Sequence, residues 1–219
     1  MLGDGYVQQD VRRVAEEELN NQISLDCDGL PPIFPIFTIS PQCPTHQLYL
    51  EALRGILRRV LPEKFFADLI AQHHTLEERR REWNTVLPFI TVSPFSEPPF
   101  DLSFLLVYKY RNNAFKFVYE MIVEWLVPGK RLEIELFYAM DFQVPGISPD
   151  LYTTLEIMVR IKSREEYEQI LHYLRLAGTE LHLGVQSAYF ARRILEIKGL
   201  GADLKITEIQ QCISYLIHR

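Results

Sequence analysis

Alternating apolar residues between positions 102 and 162 constrain the fold of this 219-residue chain more than any other feature. A period of two places successive side chains on opposite faces of a β-sheet. Three breaks divide the stretch into four segments: Asn112-Asn113, Pro128-Gly129 and a longer connection at 143–150. Asn tolerates the positive φ of a tight hairpin turn, which favours a turn at the first break. The pattern therefore predicts a four-stranded antiparallel meander.

The register of this meander follows from pairing residues outward from the breaks. Tyr108 then lies opposite Phe117, and Trp125 lies opposite Leu132. A shift of one residue would turn the whole apolar set toward water, so a single register is expected.

Residues 114–126 also fit a helix, and this alternative stays open. Four of their large apolar residues recur at helical spacing: Phe115, Tyr119, Ile122 and Leu126. The enrichment in aromatic and β-branched residues favours a strand.

Helical patterns flank the predicted sheet. Thr45 to Leu61 carries a broad apolar stripe and ends before Pro62. Two capping boxes, Thr75–Glu78 and Ser163–Glu166, start further helices, and Gly178 would close the second of these. The remaining helical patterns cover residues 5–21, 63–72, 180–197 and 206–218.

Together these elements predict an α+β protein in which a helical N-terminal part precedes a four-stranded antiparallel β-meander covered by C-terminal helices. The Pro-rich segment 93–100 is the expected boundary. We predict a mainly helical lobe at residues 1–94, which includes a Pro-rich extended arm at 26–44, and the sheet with its helices at 95–219.

Composition indicates a soluble globular protein. Hydrophobic residues make up 47% of the chain and its net charge is −6, which argues against nonspecific binding to nucleic acid or anionic membranes. Three widely spaced cysteines indicate free thiols in a reducing compartment. The first residues do not resemble a signal peptide, and no run reaches the roughly 18 apolar residues of a membrane span. We expect a cytoplasmic protein without membrane association.

The segment "AQHHTLEERRREW" at 71–83 raises the question of a metal site, because His73/Glu77 and His74/Glu78 have i,i+4 spacing. Thr75 as an N-cap would break the helix between the members of each pair. We therefore expect no metal and no cofactor. The chain also lacks a GxGxxG loop, a Walker A loop and an HExxH motif, so an enzyme is not the leading interpretation.

The polar face of the predicted sheet is the first candidate binding site. Its register places Glu124 opposite Glu133, and like charges in that position destabilise a sheet. Such a face could receive a basic segment of a partner or a cation, or it could be an ordinary solvated face. The candidate residues are Glu120, Glu124, Glu133, Glu135, Glu156 and Arg160.

An aromatic pocket between the sheet and the C-terminal helices is the second candidate site. Buried hydroxyl and indole groups need polar partners, which a ligand or water would supply. Its lining would consist of Tyr108, Tyr110, Tyr119, Trp125 and Tyr138.

These features lead to two hypotheses about function. The first is a non-enzymatic protein-interaction or regulatory module that binds another protein and could form a homo-oligomer. The second is a small-molecule-binding protein or enzyme that uses the aromatic pocket. Arginine clusters at 54–59, 79–81 and 192–193 lack stacking aromatic platforms between them, so nucleic acid is not the expected partner.

Overall fold

The computed structural model describes residues 23–36, 44–94 and 100–199, which form an α+β fold. The helices of these ranges are α1 (Pro44–Val60), α2 (Phe65–Gln72), α3 (Leu76–Val86), α4 (Ala114–Val123), α5 (Arg164–Gln186) and α6 (Ala188–Gly199). The strands are β1 (Phe34–Pro35), β2 (Phe89–Val92), β3 (Phe100–Lys109), β4 (Ile134–Val144) and β5 (Ser148–Ile161). The helices predicted at 5–21 and 206–218 lie outside the described residues.

All five strands join one antiparallel sheet in the order β1-β4-β5-β3-β2, so β3 and β5 are central. Phe104 pairs with Ile157, and Leu106 pairs with Leu155. The alternation of the sequence predicts that these four side chains share one face, and the pairing confirms it.

Residues 114–126 depart most from the predicted meander, because α4 occupies the place of a strand. Phe115 is 44% exposed, whereas the residues that recur every three or four positions along another face of the helix are buried. Those buried residues are Ala114, Phe117, Val118, Met121 and Ile122. Burial of one helical face outweighs the β-propensity of single residues, so the strand prediction for this segment is wrong.

The helix at 114–123 also changes the sheet. The described sheet has five strands rather than four, and β3 pairs with β5 instead of with the segment that follows it. Neither predicted pair, Tyr108 with Phe117 or Trp125 with Leu132, occurs in it.

The second face of the sheet is buried as well. Leu105 and Tyr152 on this face are 2% and 0% exposed and belong to one core with Leu57 of α1, Leu69 of α2 and Trp83 of α3. The expectation that this face is solvated is therefore wrong for the central strands. Burial on both faces agrees with the nearly continuous apolar run of β3, "FLLVY".

The C-terminal helices are divided differently from the prediction. Helix α5 runs through Gly178 without a left-handed residue there and ends at Gln186, and α6 begins after Ser187. Glu180 and Lys198 form an ion pair of 2.8 Å, although one straight helix would separate them by roughly 27 Å. Helix α6 therefore turns back toward α5 instead of continuing it.

Two compact units divide the chain. The first holds the residues up to Tyr110 together with Glu133–Glu168, and it contains the sheet and α1–α3. The second holds Arg111–Leu132 and the chain from Gln169, and it contains α4, α6 and most of α5. The domain boundary between residues 94 and 95 and the covering of the sheet by C-terminal helices stay predictions. Within the described ranges, no helix has both the length and the apolar character to cross a membrane.

Asp150 of β5 links α3 to the sheet in the first unit. Its carboxylate accepts hydrogen bonds from Arg80 (3.0 and 3.2 Å), Asn84 (3.0 Å) and Lys109 (2.7 Å). Partial burial opposes ionisation, but the hydrogen bonds from Arg80, Lys109 and Asn84 outweigh it, so the pKa of Asp150 lies below its usual range.

We expect the substitution Asp150→Asn to lower the free energy of unfolding by about 1–3 kcal/mol at pH 7, because hydrogen bonds to a charged group are lost. A carboxyl group with a lowered pKa in the folded state stabilises the fold above its unfolded pKa and loses this effect as the pH falls through the folded pKa. The difference between wild type and variant should therefore shrink progressively below about pH 5. Chemical denaturation at a series of pH values measures it.

The matched control is Glu77→Gln, which removes another acidic partner of Arg80. The Glu77 side chain is 77% exposed, so we expect a change below about 0.5 kcal/mol. A pH-independent effect of Asp150→Asn, or an equal effect of both substitutions, would contradict the assignment.

Candidate functional site

The capping box predicted at Thr75 forms within residues 71–83. The Thr75 hydroxyl accepts a hydrogen bond from the amide of Glu78 (3.2 Å), and the Glu78 carboxylate accepts one from the amide of Thr75 (3.1 Å). These bonds lower the pKa of Glu78. His73 ends α2, so the paired i,i+4 geometry does not form. No group of three or more His, Cys, Asp and Glu in the described ranges could hold a metal ion.

The predicted acidic set is divided between the two units. Glu156 is 7% exposed and receives two hydrogen bonds, of 2.9 and 2.8 Å, from the guanidinium of Arg59 in α1. Arg160 pairs with Glu135 at 3.0 Å, and its amide donates to the carbonyl of Glu133. These residues all belong to the first unit.

The other two acidic residues belong to the second unit. Glu120 pairs with Lys116 at 3.6 Å, and Glu124 pairs with Arg131 at 3.0 Å. Glu120 lies in α4 and Glu124 follows that helix, so the predicted opposition of Glu124 and Glu133 across a sheet does not occur.

The predicted aromatic set does not converge either. Tyr108 is 1% exposed and lies on the face of β3 opposite to the one that Tyr138 occupies on β4. The Tyr138 hydroxyl donates to the carbonyl of Tyr49 in α1 (3.0 Å), and burial raises its pKa. Of the remaining three, Tyr110 follows β3 and is 44% exposed, while Tyr119 and Trp125 belong to the second unit.

A cleft of about 680 Å³ in the second unit is a candidate site. We call it the basic cleft. Residues 111–117 form one wall, and residues 188–196 of α6 form the other. Its polar lining consists of Arg111, Asn112, Asn113, Lys116, Arg192 and Glu196, and its apolar lining of Phe117, Ala188, Ala191 and Leu195.

Two helices begin at the basic cleft. Helix α4 starts after Asn113, whose φ is 64° and whose side chain does not cap the helix. Helix α6 starts at Ala188 after Ser187, whose hydroxyl accepts a long bond of 3.5 Å from the amide of Phe190. The N-terminal end of a helix carries partial positive charge, so both ends add to the positive potential of the lining cations.

Arg111 fixes one wall of the basic cleft. Its guanidinium donates to the carbonyls of Val185 (3.0 Å) and Gly184. Both carbonyls lie in the last turn of α5, where no intrahelical donor remains for them. Arg111 therefore joins the end of α5 to the start of α4.

The other two cations of the cleft, Lys116 and Arg192, are exposed and form only weak ion pairs. Lys116 and Arg192 are 69% and 81% exposed in their side chains. Their recorded ion-pair partners are intrahelical, since Lys116 pairs with Glu120 at 3.6 Å and Arg192 with Glu196 at 2.8 Å. Exposed pairs of this kind contribute less than about 1 kcal/mol, so both cations can exchange partners.

The charge of the second unit contrasts with that of the whole chain. Its described residues include eight Lys or Arg and four Asp or Glu, a net charge of +4, whereas the chain carries −6. Two exposed aromatic residues are sequence neighbours of lining residues, since Phe115 (44%) precedes Lys116 and Tyr189 (65%) follows Ala188. Aromatic residues and Arg are enriched at protein-binding surfaces.

Comparison with known proteins gives no relative: no family model, no curated protein and no solved structure matches the chain.

Sequence reasoning did not find the basic cleft. It interpreted Asn112-Asn113 as a hairpin turn and placed Ser187 inside a helix, and both positions instead start helices that border the cleft. The available signal was the stripe of Ala114, Phe117, Val118, Met121 and Ile122, which has the spacing of a buried helical face.

We expect Gly184→Ala to destabilise the second unit by about 1–3 kcal/mol, because the new Cβ would overlap the buried ring of Phe117. The matched control is Gly178→Ala in the same helix, where the Cβ meets no atom within 4 Å. This control should stabilise by about 0.5–1 kcal/mol through helix propensity. Thermal denaturation of both variants measures the difference, and equal effects would contradict the close packing of Phe117 on Gly184.

Proposed function

We propose that the protein is a non-enzymatic interaction module whose second unit binds an acidic segment of a partner protein in the basic cleft. The observation that carries this proposal is a cleft lined by Arg111, Lys116 and Arg192 in a unit of net positive charge. Electrostatic complementarity selects a partner of opposite charge and accelerates its association.

The partner segment should combine carboxylates with apolar side chains. Phe117, Ala191 and Leu195 supply an apolar floor. Side chains of this kind gain by burial against a partner, whereas a small inorganic anion would leave them in water.

The probe for this proposal is a short fluorescein-labelled peptide in which Glu alternates with Leu and Phe, together with a twin in which Gln replaces Glu. Fluorescence anisotropy measures the affinity of both. We expect tighter binding of the Glu peptide, and its advantage over the twin should fall as ionic strength rises, because exposed charges are screened.

The double variant Lys116→Gln/Arg192→Gln should lower the affinity for the Glu peptide by about three- to tenfold, since two exposed charge contacts are lost. The matched control, Lys64→Gln/Arg81→Gln, removes the same charge from exposed positions in the first unit and should change the affinity by less than about twofold. Melting temperatures show that both variants are folded.

Three outcomes would overturn the proposal. They are equal binding of the Glu and Gln peptides, equal effects of the two double variants, and displacement of the peptide by a single-stranded oligonucleotide that binds more tightly with a steep salt dependence.

A further inference from the structure

The lining of the basic cleft contains a carboxylate of its own. Glu196 accepts a hydrogen bond from Nε of Arg192 (2.8 Å) and another from Nη1 of Arg193 (3.0 Å). Arg192 and Glu196 both line the cleft. An acidic side chain in this position occupies the guanidinium that an acidic ligand needs.

The ion pair between Arg192 and Glu196 is weak enough to break when a ligand binds. Arg192 lies N-terminal to Glu196 at i,i+4, which is the weaker orientation for an intrahelical ion pair. The Glu196 side chain is 43% exposed, so its carboxylate can return to water when Arg192 changes partner. Arg193 would still hold Glu196 on the outer side of α6 after this exchange.

We infer that Glu196 is an internal competitor that occupies Arg192 in the empty cleft and is displaced from it by an acidic ligand. This inference rests on the proposed function and adds a specificity-determining residue to it. A ligand must exchange its own carboxylate for that of Glu196, so weakly acidic or singly charged segments gain little by binding. Glu196 thus raises the charge that a partner must carry.

The inference predicts an uncommon result, because loss of a polar residue from the lining should strengthen binding. Glu196→Gln keeps the size of the side chain and removes its charge. We expect the Glu196→Gln variant to bind the Glu peptide about two- to fivefold more tightly than wild type. This is the size of the effect of one exposed ion pair, here the pair with Arg192 that the ligand no longer has to break.

The control is Glu180→Gln, which removes one negative charge from the same unit. Glu180 pairs with Lys198 at 2.8 Å, and neither residue lines the cleft. The control reports the long-range effect of net charge and should strengthen binding by less than about twofold. Melting temperatures of both variants exclude a change in folding as the cause.

The outcomes separate this inference from the proposed function. A wild type that binds the Glu and Gln peptides equally overturns the proposed function. A wild type that prefers the Glu peptide, combined with equal affinities of Glu196→Gln and Glu180→Gln, overturns only the role of Glu196. Weaker binding by Glu196→Gln would do the same, because it would make Glu196 a contact for the ligand instead of a competitor.

Discussion

The antiparallel ladder between β3 and β5 is the constraint on which the first unit depends. These strands are central in the sheet and buried on both faces, with Leu106 and Leu155 on one and Leu105 and Tyr152 on the other. A ladder of this kind satisfies its backbone groups internally and leaves its side chains to be covered by other elements. Glu156 can lie in this setting because Arg59 of α1 binds both of its carboxylate oxygens. Removal of Arg59 would leave the buried carboxylate of Glu156 without its partner, whereas Arg59 itself is 47% exposed in its side chain.

Two carboxylates of the first unit and two cations of the second unit therefore differ in their burial and in their partners. Asp150 and Glu156 are mostly buried, receive several hydrogen bonds and join a helix to the sheet. Lys116 and Arg192 are mostly exposed and have carboxylate partners one helical turn away. A buried carboxylate that already accepts hydrogen bonds from its own protein has few acceptor positions left for a ligand. An exposed cation exchanges one carboxylate partner for another at small cost in free energy. This contrast is the reason why the binding site that we propose is the basic cleft.

Sequence patterns predicted the α+β class, the helices at 45–61 and 63–72, and the capping box at Thr75, because these depend on local spacing and capping. The strand predicted at 114–126 was wrong. Its apolar residues fit the two-residue period of a strand and the 3.6-residue period of a helix, and only burial decides between the two. That single error produced the acidic face and the aromatic pocket, because both assumed that Glu120, Glu124, Tyr119 and Trp125 lie on a strand. The basic cleft could not be predicted, because it joins residues 111–117 to residues 188–196.

The sequence by itself determined that α3 begins at the capping box of Thr75 and that β3 and β5 have apolar residues on the same face. These properties depend on residues that are neighbours in the chain, whose geometry is set by backbone periodicity. Tertiary structure decided that residues 114–123 are a helix, that both sheet faces are buried, and that Arg111 joins the end of α5 to the start of α4. The free energy of burial depends on which distant surfaces meet, and no local pattern contains that information.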